Sequence, residues 1–379
     1  MYIIDLSDFP ELFSTLRERG YSIVGPTIRD GAIVFEPINT VEDLPKGWTD
    51  FQGASTYSLE RGNNEAFFNF AIGPVSWKKF LFPPRVNLFN ASRTGKGFEV
   101  MAPAAAIPDQ GTKCAFLGIR PCELRAIEIQ EKVFTQGEYV DPTYKAIREK
   151  TIIIVVNCIK PGGSCFCASM NTGPRARGGY DLALTEVMHG AEHYFTVETG
   201  SVVGESILEG IRHHDAGAEV EALVADVLDA SAKAMGRVME TAGLQQLLYE
   251  NFENSEWDAV SKRCLACANC TMVCPTCFCS TVEDSTDLTG TRAERWRRWD
   301  SCFTMDFAKV AGGNMRPSTR ARYRQWMMHK LAYWHDQFGT SGCVGCGRCI
   351  TWCPVGIDIT AEVDAIRRNS SPVVATKQP

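Results

Sequence analysis

Two stretches toward the C-terminal end carry the same spacing: CLACANCTMVCP at residues 264–275 and CVGCGRCITWCP at residues 343–354. In each, three cysteines stand two residues apart, a fourth follows after three more, and a proline comes next. Three thiolates so spaced on a tight loop reach three corners of one 4Fe-4S cubane, while the fourth points away toward a second cubane. On that rule Cys264, Cys267, Cys270 and Cys353 hold one cluster, and Cys343, Cys346, Cys349 and Cys274 hold the other. The small residues Ala266, Ala268, Gly345 and Gly347 let backbone amides approach the sulfur, where hydrogen bonds tune the reduction potential. Structural zinc competes for any CxxC pair, but four tetrahedral ligands need neither the third cysteine nor the trailing proline.

The 68 residues between Cys274 and Cys343 exceed what two ferredoxin hairpins require. RAERWRRWDS and RARYRQWMMHKLAYWHDQF, within residues 292–338, read as aromatic-rich amphipathic helices around GGNMRPS. An α-helical ferredoxin-like domain over residues 236–368 follows, in which helices bring the two cysteine loops together. Upstream, residues 1–235 read as a mixed α/β domain, so the fold class is α+β. Leu6–Gly20 has helical spacing and ends at glycine; YSIVGP and GAIVFEPI flank a DG turn and predict a hairpin. CAFLGI (114–119) and TIIIVVN (151–157) have the character of buried strands, with a helix from Cys122 to Lys132 between them. Residues 217–250, rich in helix formers and free of proline, predict helix. The tail 369–379 has little to bury and reads as loose.

Cys122, in GIRPCEL, and Cys158, Cys165 and Cys167, in VVNCIKPGGSCFCASM, each follow one of those strands. Adjacent strand ends would present four thiolates to one site, and a third 4Fe-4S cluster is expected there. Zinc and buried unliganded thiols are the alternatives. Arg120 and Arg125 beside this site either hold a partner carboxylate or raise the potential of such a cluster, with solvated surface charges as the alternative. Cys277, Cys279 and Cys302 read as packing beside a cluster, and Cys114, inside a strand, as a core residue.

Sixteen cysteines in 379 residues suit metal better than disulfides in a reducing compartment. The formal net charge of −6 supplies no field for a phosphate backbone, which argues against nucleic acid. No apolar run spans a bilayer, and MYIIDLSDFPELF is not a secretory leader, so a cytoplasmic location is expected. The six histidines form no metal motif, and neither a nucleophile elbow nor a nucleotide-binding loop is present. The chemistry asked of such a chain is one-electron outer-sphere transfer, with no catalytic side chain.

The ordered segments VGPTIRDGAIVFEPI, DLPKGWTD, KKFLFPP, GIRPCEL, NCIKPGGSCFCASMNTGP, CPTCFCSTVED and SGCVGCGRCITWCPVGIDI lie largely outside the generic quartets. Over nearly its whole length the chain resembles the beta subunit of soluble cytoplasmic nickel-iron hydrogenases of the sulfhydrogenase or NADP-reducing type. The resemblance implies an electron-transfer subunit between a hydrogenase module of large and small subunits and a flavin subunit handling NAD(P)H. The electron-transfer subunit of anaerobic sulfite reductase shares the cysteine layout and is the alternative; a scaffold without redox turnover is the second.

Overall fold

The computed structural model describes residues 1–95, 97–101, 113–190 and 192–370. Of the tail expected to be loose, residues 371–379 lie outside the described ones.

Leu12, Phe13 and Leu16 share one face of the helix Pro10–Glu18 and are buried; Gly20, at φ +81°, turns the chain out of it. After β1 (Tyr2–Asp5) and this helix come β2 (Tyr21–Arg29) and β3 (Ala32–Ile38), paired antiparallel as the sequence predicts. Asp30 and Gly31 between them both have positive φ, the signature of the turn that matches strand twist. β4 (Trp48–Gly53) and β5 (Thr56–Arg61) form a second hairpin, and β6 (Arg85–Thr94) and β7 (Gly97–Met101) a third pair.

β8 (Lys113–Ile119), β9 (Thr151–Val156), β10 (Leu182–His189), β11 (Glu192–Thr199) and β12 (His214–Asp215) complete the main sheet. Its order is β12-β1-β11-β10-β9-β8-β2-β3, with β2, β8, β9 and β10 running parallel to their neighbours in that series. All six residues of β9 are buried, as an interior parallel strand covered on both faces demands. Ile152, Ile154 and Val156 face a core with Phe9 and Phe195; Ile153 and Val155 face another with Trp77 and Ile127. Each such side chain contributes about 1.5–3 kcal/mol by leaving water.

Parallel pairing puts the C-terminal ends of β8 and β9 side by side. Pro121 and Cys122 follow β8 and open the helix Pro121–Phe134, while Asn157 and Cys158 follow β9. Loops gathered beyond parallel strand ends are where open α/β sheets bind ligands.

The expectation of helices throughout residues 292–338 is corrected. Residues 280–299 form a hairpin of β13 (Ser280–Thr286) and β14 (Arg292–Trp299), and β14 pairs with β6 in a sheet ordered β13-β14-β6-β7. Pairing with β6 overrides the helical pattern, helped by Arg85 lying 4.0 Å over the Trp296 ring; Arg295–Asp284 and Arg298–Glu283 are exposed pairs on the resulting hairpin. Helix begins only at Thr319–Met328 and, after a π turn at His329–Tyr333, continues as Trp334–Phe338. The helix expected over 217–250 is split into Ala218–Lys233 and Leu244–Glu250. At the break, Arg237 N–H donates to the Cys165 carbonyl, 2.9 Å away. A third core joins Trp257, Trp326, Leu331, Ile350 and Val363, and Phe166 reaches into it from the loop after β9.

Candidate metal centres

Three cavities contain the three cysteine sets. Cys264, Cys267, Cys270 and Cys353 line the first, together with Cys349, Phe303, Tyr323 and Trp326. The second is lined by Cys274, Cys343, Cys346 and Cys349, with Lys330, Phe166 and Gly347. Cys122, Cys158, Cys165 and Cys167 line the third, with Arg120, Glu123, Arg348 and Cys346. Cys349 therefore borders the first and second cavities, and Cys346 the second and third. Among the described residues no three His, Cys, Asp or Glu side chains are grouped as for a single metal ion. The thiols surround space instead, and such a donor set fits a cubane, which takes one thiolate per iron.

The two quartet loops have the same backbone. Ala266 and Ala268 stand at φ +51° and +69°, and their counterparts Gly345 and Gly347 at +66° and +75°. These left-handed positions turn amides onto the thiols: Ala266 N–H to Cys264 Sγ and Gly345 N–H to Cys343 Sγ, both at 3.4 Å. Ile357 N–H adds a contact to Cys353 Sγ at 3.3 Å. Glycine in the second copy also has a packing cause. A Cβ on Gly345 would lie 2.7 Å from Cys167 Cα, and one on Gly347 2.4 Å from the Ser164 carbonyl. Phe166 N–H donates to the Gly345 carbonyl at 2.8 Å, joining the loop after β9 to the second quartet.

Buried charge surrounds the second and third cavities. Lys330 Nζ donates to Cys274 Sγ (3.1 Å) and Thr276 Oγ1 (3.0 Å). Arg348 donates to Glu123 Oε1 (2.6 Å) and the Gly73 carbonyl (2.8 Å), in an ion pair whose side chains are 2% and 0% exposed. The solvated alternative for Arg120 is overturned: it is buried and donates to the carbonyls of Phe68 and Phe70, both at 2.7 Å. Arg125 is half-buried and bonds Glu128 and Thr340.

Burial pushes the Cys122, Cys167, Cys270 and Cys349 thiols well above the ordinary range, and those of Cys165 and Cys343 up to about 12. Neutral thiols of this kind release protons when metal binds. Cys274 is held well below the usual range by a hydrogen bond with Cys277 and by the Lys330 charge. Cys279 is lowered to about 7 by its hydrogen bond with Cys302, whose own thiol is pushed up by that bond and by burial. Cys277, Cys279 and Cys302 thus stand beside the quartets, and Cys114 packs against the core of the main sheet. Lys330 and Arg348 carry no local sequence signal: each is an ordinary cation, in an aromatic helix and in a cysteine loop, until the fold buries it.

An open cleft of about 1070 Å³ runs past the second cavity. Cys343 forms part of its wall, together with Pro121, Thr172, Leu244 and Leu331. At the first cavity, Cys267 is itself exposed to solvent. Of the histidines, His193 bonds the buried Glu186 and His329 packs against Phe278 and Trp334.

Comparison with known proteins bears on these sites. Residues 263–357 match a family described as a 4Fe-4S dicluster domain, the span holding both quartets. Sulfhydrogenase 2 subunit beta of Pyrococcus furiosus is 32% identical over 362 residues, covering 95% of this chain and 96% of that protein. No solved structure matches the chain. None of the described helices is long and apolar enough to cross a membrane. A dicluster domain with both quartets intact, and identity of this extent along the whole length, give the assignment: the chain belongs to the sulfhydrogenase beta-subunit family.

Proposed function

We propose that the chain is the iron-sulfur electron-transfer subunit of a cytoplasmic nickel-iron hydrogenase complex, standing between the hydrogenase large and small subunits and a flavin NAD(P)H subunit. The observation that carries this is the succession of three thiol-lined cavities joined through Cys349 and Cys346. Residues 236–368 would hold the first two clusters, on Cys264, Cys267, Cys270 and Cys353 and on Cys343, Cys346, Cys349 and Cys274. Residues 1–235 would hold a third on Cys122, Cys158, Cys165 and Cys167. When bound, such clusters supply reversible one-electron exchange at potentials set by charge, hydrogen bonding and exposure.

The chain's own part is to hold and space these groups and to keep water from them. Phe303, Tyr323 and Trp326 wall the first cavity with apolar surface, and Phe166 helps close the second. The exposed edge at Cys267 and the cleft beside Cys343 are the two approaches that suit redox partners.

Metal analysis and native mass spectrometry of the anaerobically purified complex test this proposal. About 12 irons per chain, with matching acid-labile sulfide, are expected for three cubanes, falling to about 8 in Cys158→Ser. A nickel-containing large subunit should co-purify. Stoichiometric zinc without sulfide would overturn the proposal, and a sirohaem partner would move the chain to a sulfite-reducing complex.

A further inference from the structure

The three cavities differ in the charges that face them. Among the described residues no charged side chain lines the first. A buried cation close to it, Arg322, spends a donor on the Phe303 carbonyl at 3.0 Å. The second has Lys330, placed by the π turn His329–Tyr333 so that its ammonium meets the ligand sulfur of Cys274 directly. Single π turns inside helices are frequent at functional sites. Lys78 approaches the same segment, but its ammonium is taken up by the carbonyls of Met272, Cys274 and Cys277.

Lys330 also grips the other half of the site through its main chain. Its carbonyl accepts from Gly342 N–H (2.7 Å) and Ser341 Oγ (3.2 Å), and Ser341 Oγ in turn accepts from Cys343 N–H (3.1 Å). One residue therefore contacts both cysteine segments of the second site and sets its ammonium 3.1 Å from one of its sulfurs. Reduction adds an electron, so a fixed cation beside the thiolate favours the reduced state and raises the potential.

We propose that Lys330 is a positioning residue that holds the reduction potential of the middle site above that of the first, making it the preferred resting place of an electron on the path. This rests on the electron-transfer function proposed above. The test is a redox titration of the anaerobically purified full-length protein followed by paramagnetic resonance, in wild type, Lys330→Arg and Lys330→Gln. In K330Q one cluster's reduced-to-oxidised ratio at fixed potential should fall at least about tenfold, or 59 mV for a one-electron couple. Iron and sulfide content should stay at the wild-type level, and K330R should titrate like wild type. Wild-type midpoints in K330Q would overturn the proposal, as would a K330R shift equal to that of K330Q, which would make shape rather than charge decisive. Loss of about four irons from K330Q would equally overturn it, by making Lys330 a structural residue. Wild-type protein lacking iron and sulfide would instead sink the electron-transfer function itself.

Discussion

Arg348–Glu123 and Arg295–Asp284 have the same N···O distance, 2.6 Å, and opposite surroundings. The first pair is closed off between the second quartet and the start of the helix Pro121–Phe134. Burial pushes the Glu123 carboxyl up while the Arg348 charge opposes that shift. Removing one partner leaves an uncompensated charge where water cannot reach it, which costs about 3–5 kcal/mol. Glu123→Ala should therefore lower the thermal unfolding midpoint clearly. Arg295→Ala, on the solvent side of the β13–β14 hairpin, should leave it unchanged, because exposed pairs are screened. Calorimetry of the two variants checks the contrast; equal losses would show that the interior pair is wetter than its geometry indicates.

At the scale of elements, the loop after β9 and the second quartet loop meet through bare backbone. Gly345 has room for no side chain against Cys167, and its φ of +66° disfavours any L residue. A left-handed conformation alone costs about 1–2 kcal/mol at a non-glycine position, before the overlap is counted. Gly345→Ala should push the two loops apart. On the three-cluster proposal, iron at the Cys122, Cys158, Cys165 and Cys167 set should then become extractable by chelator ahead of the rest, which iron analysis during timed chelation would show. Uniform release from all sites would mean that the contact does not support the third site.

For the molecule as a unit, two of its cores divide the consequences of metal loss. The core around Ile4, Phe9 and Phe195 contains no cysteine among the described residues, whereas the core around Trp257 and Trp326 has Cys264, Cys270, Cys343, Cys349 and Cys353 packed on it. Metal binding at such loops is folding energy for the segment that carries them. Stripping the iron should thus leave the main sheet folded and loosen residues 263–357. Limited proteolysis read by mass spectrometry should find early cuts in that span and in the cysteine loop after β9, and early cuts within β8 or β9 would contradict the division.

The cysteine spacing, the β2–β3 hairpin and the buried strands β8 and β9 were legible because each depends on a local pattern: ligand reach, a DG turn, a run of branched residues. Three thiols of each quartet follow from the same locality, whereas the fourth, Cys353 for the first cavity and Cys274 for the second, comes from the other motif and is expected only from the crossed-ligation rule. Contacts between distant segments are not written in any local pattern. RAERWRRW has helical composition and becomes a strand because β6, some two hundred residues earlier, offers it a sheet edge and Arg85 to stack on Trp296. Lys330 acquires meaning only when a π turn sets it against Cys274, and Arg348 only when Glu123 closes on it. Local spacing alone specified the triplets Cys264, Cys267, Cys270 and Cys343, Cys346, Cys349, because a two-residue gap on a tight loop is a short-range constraint. Tertiary structure decided the order of the three cavities and the charges around them, because both arise where segments far apart in the chain exclude water together.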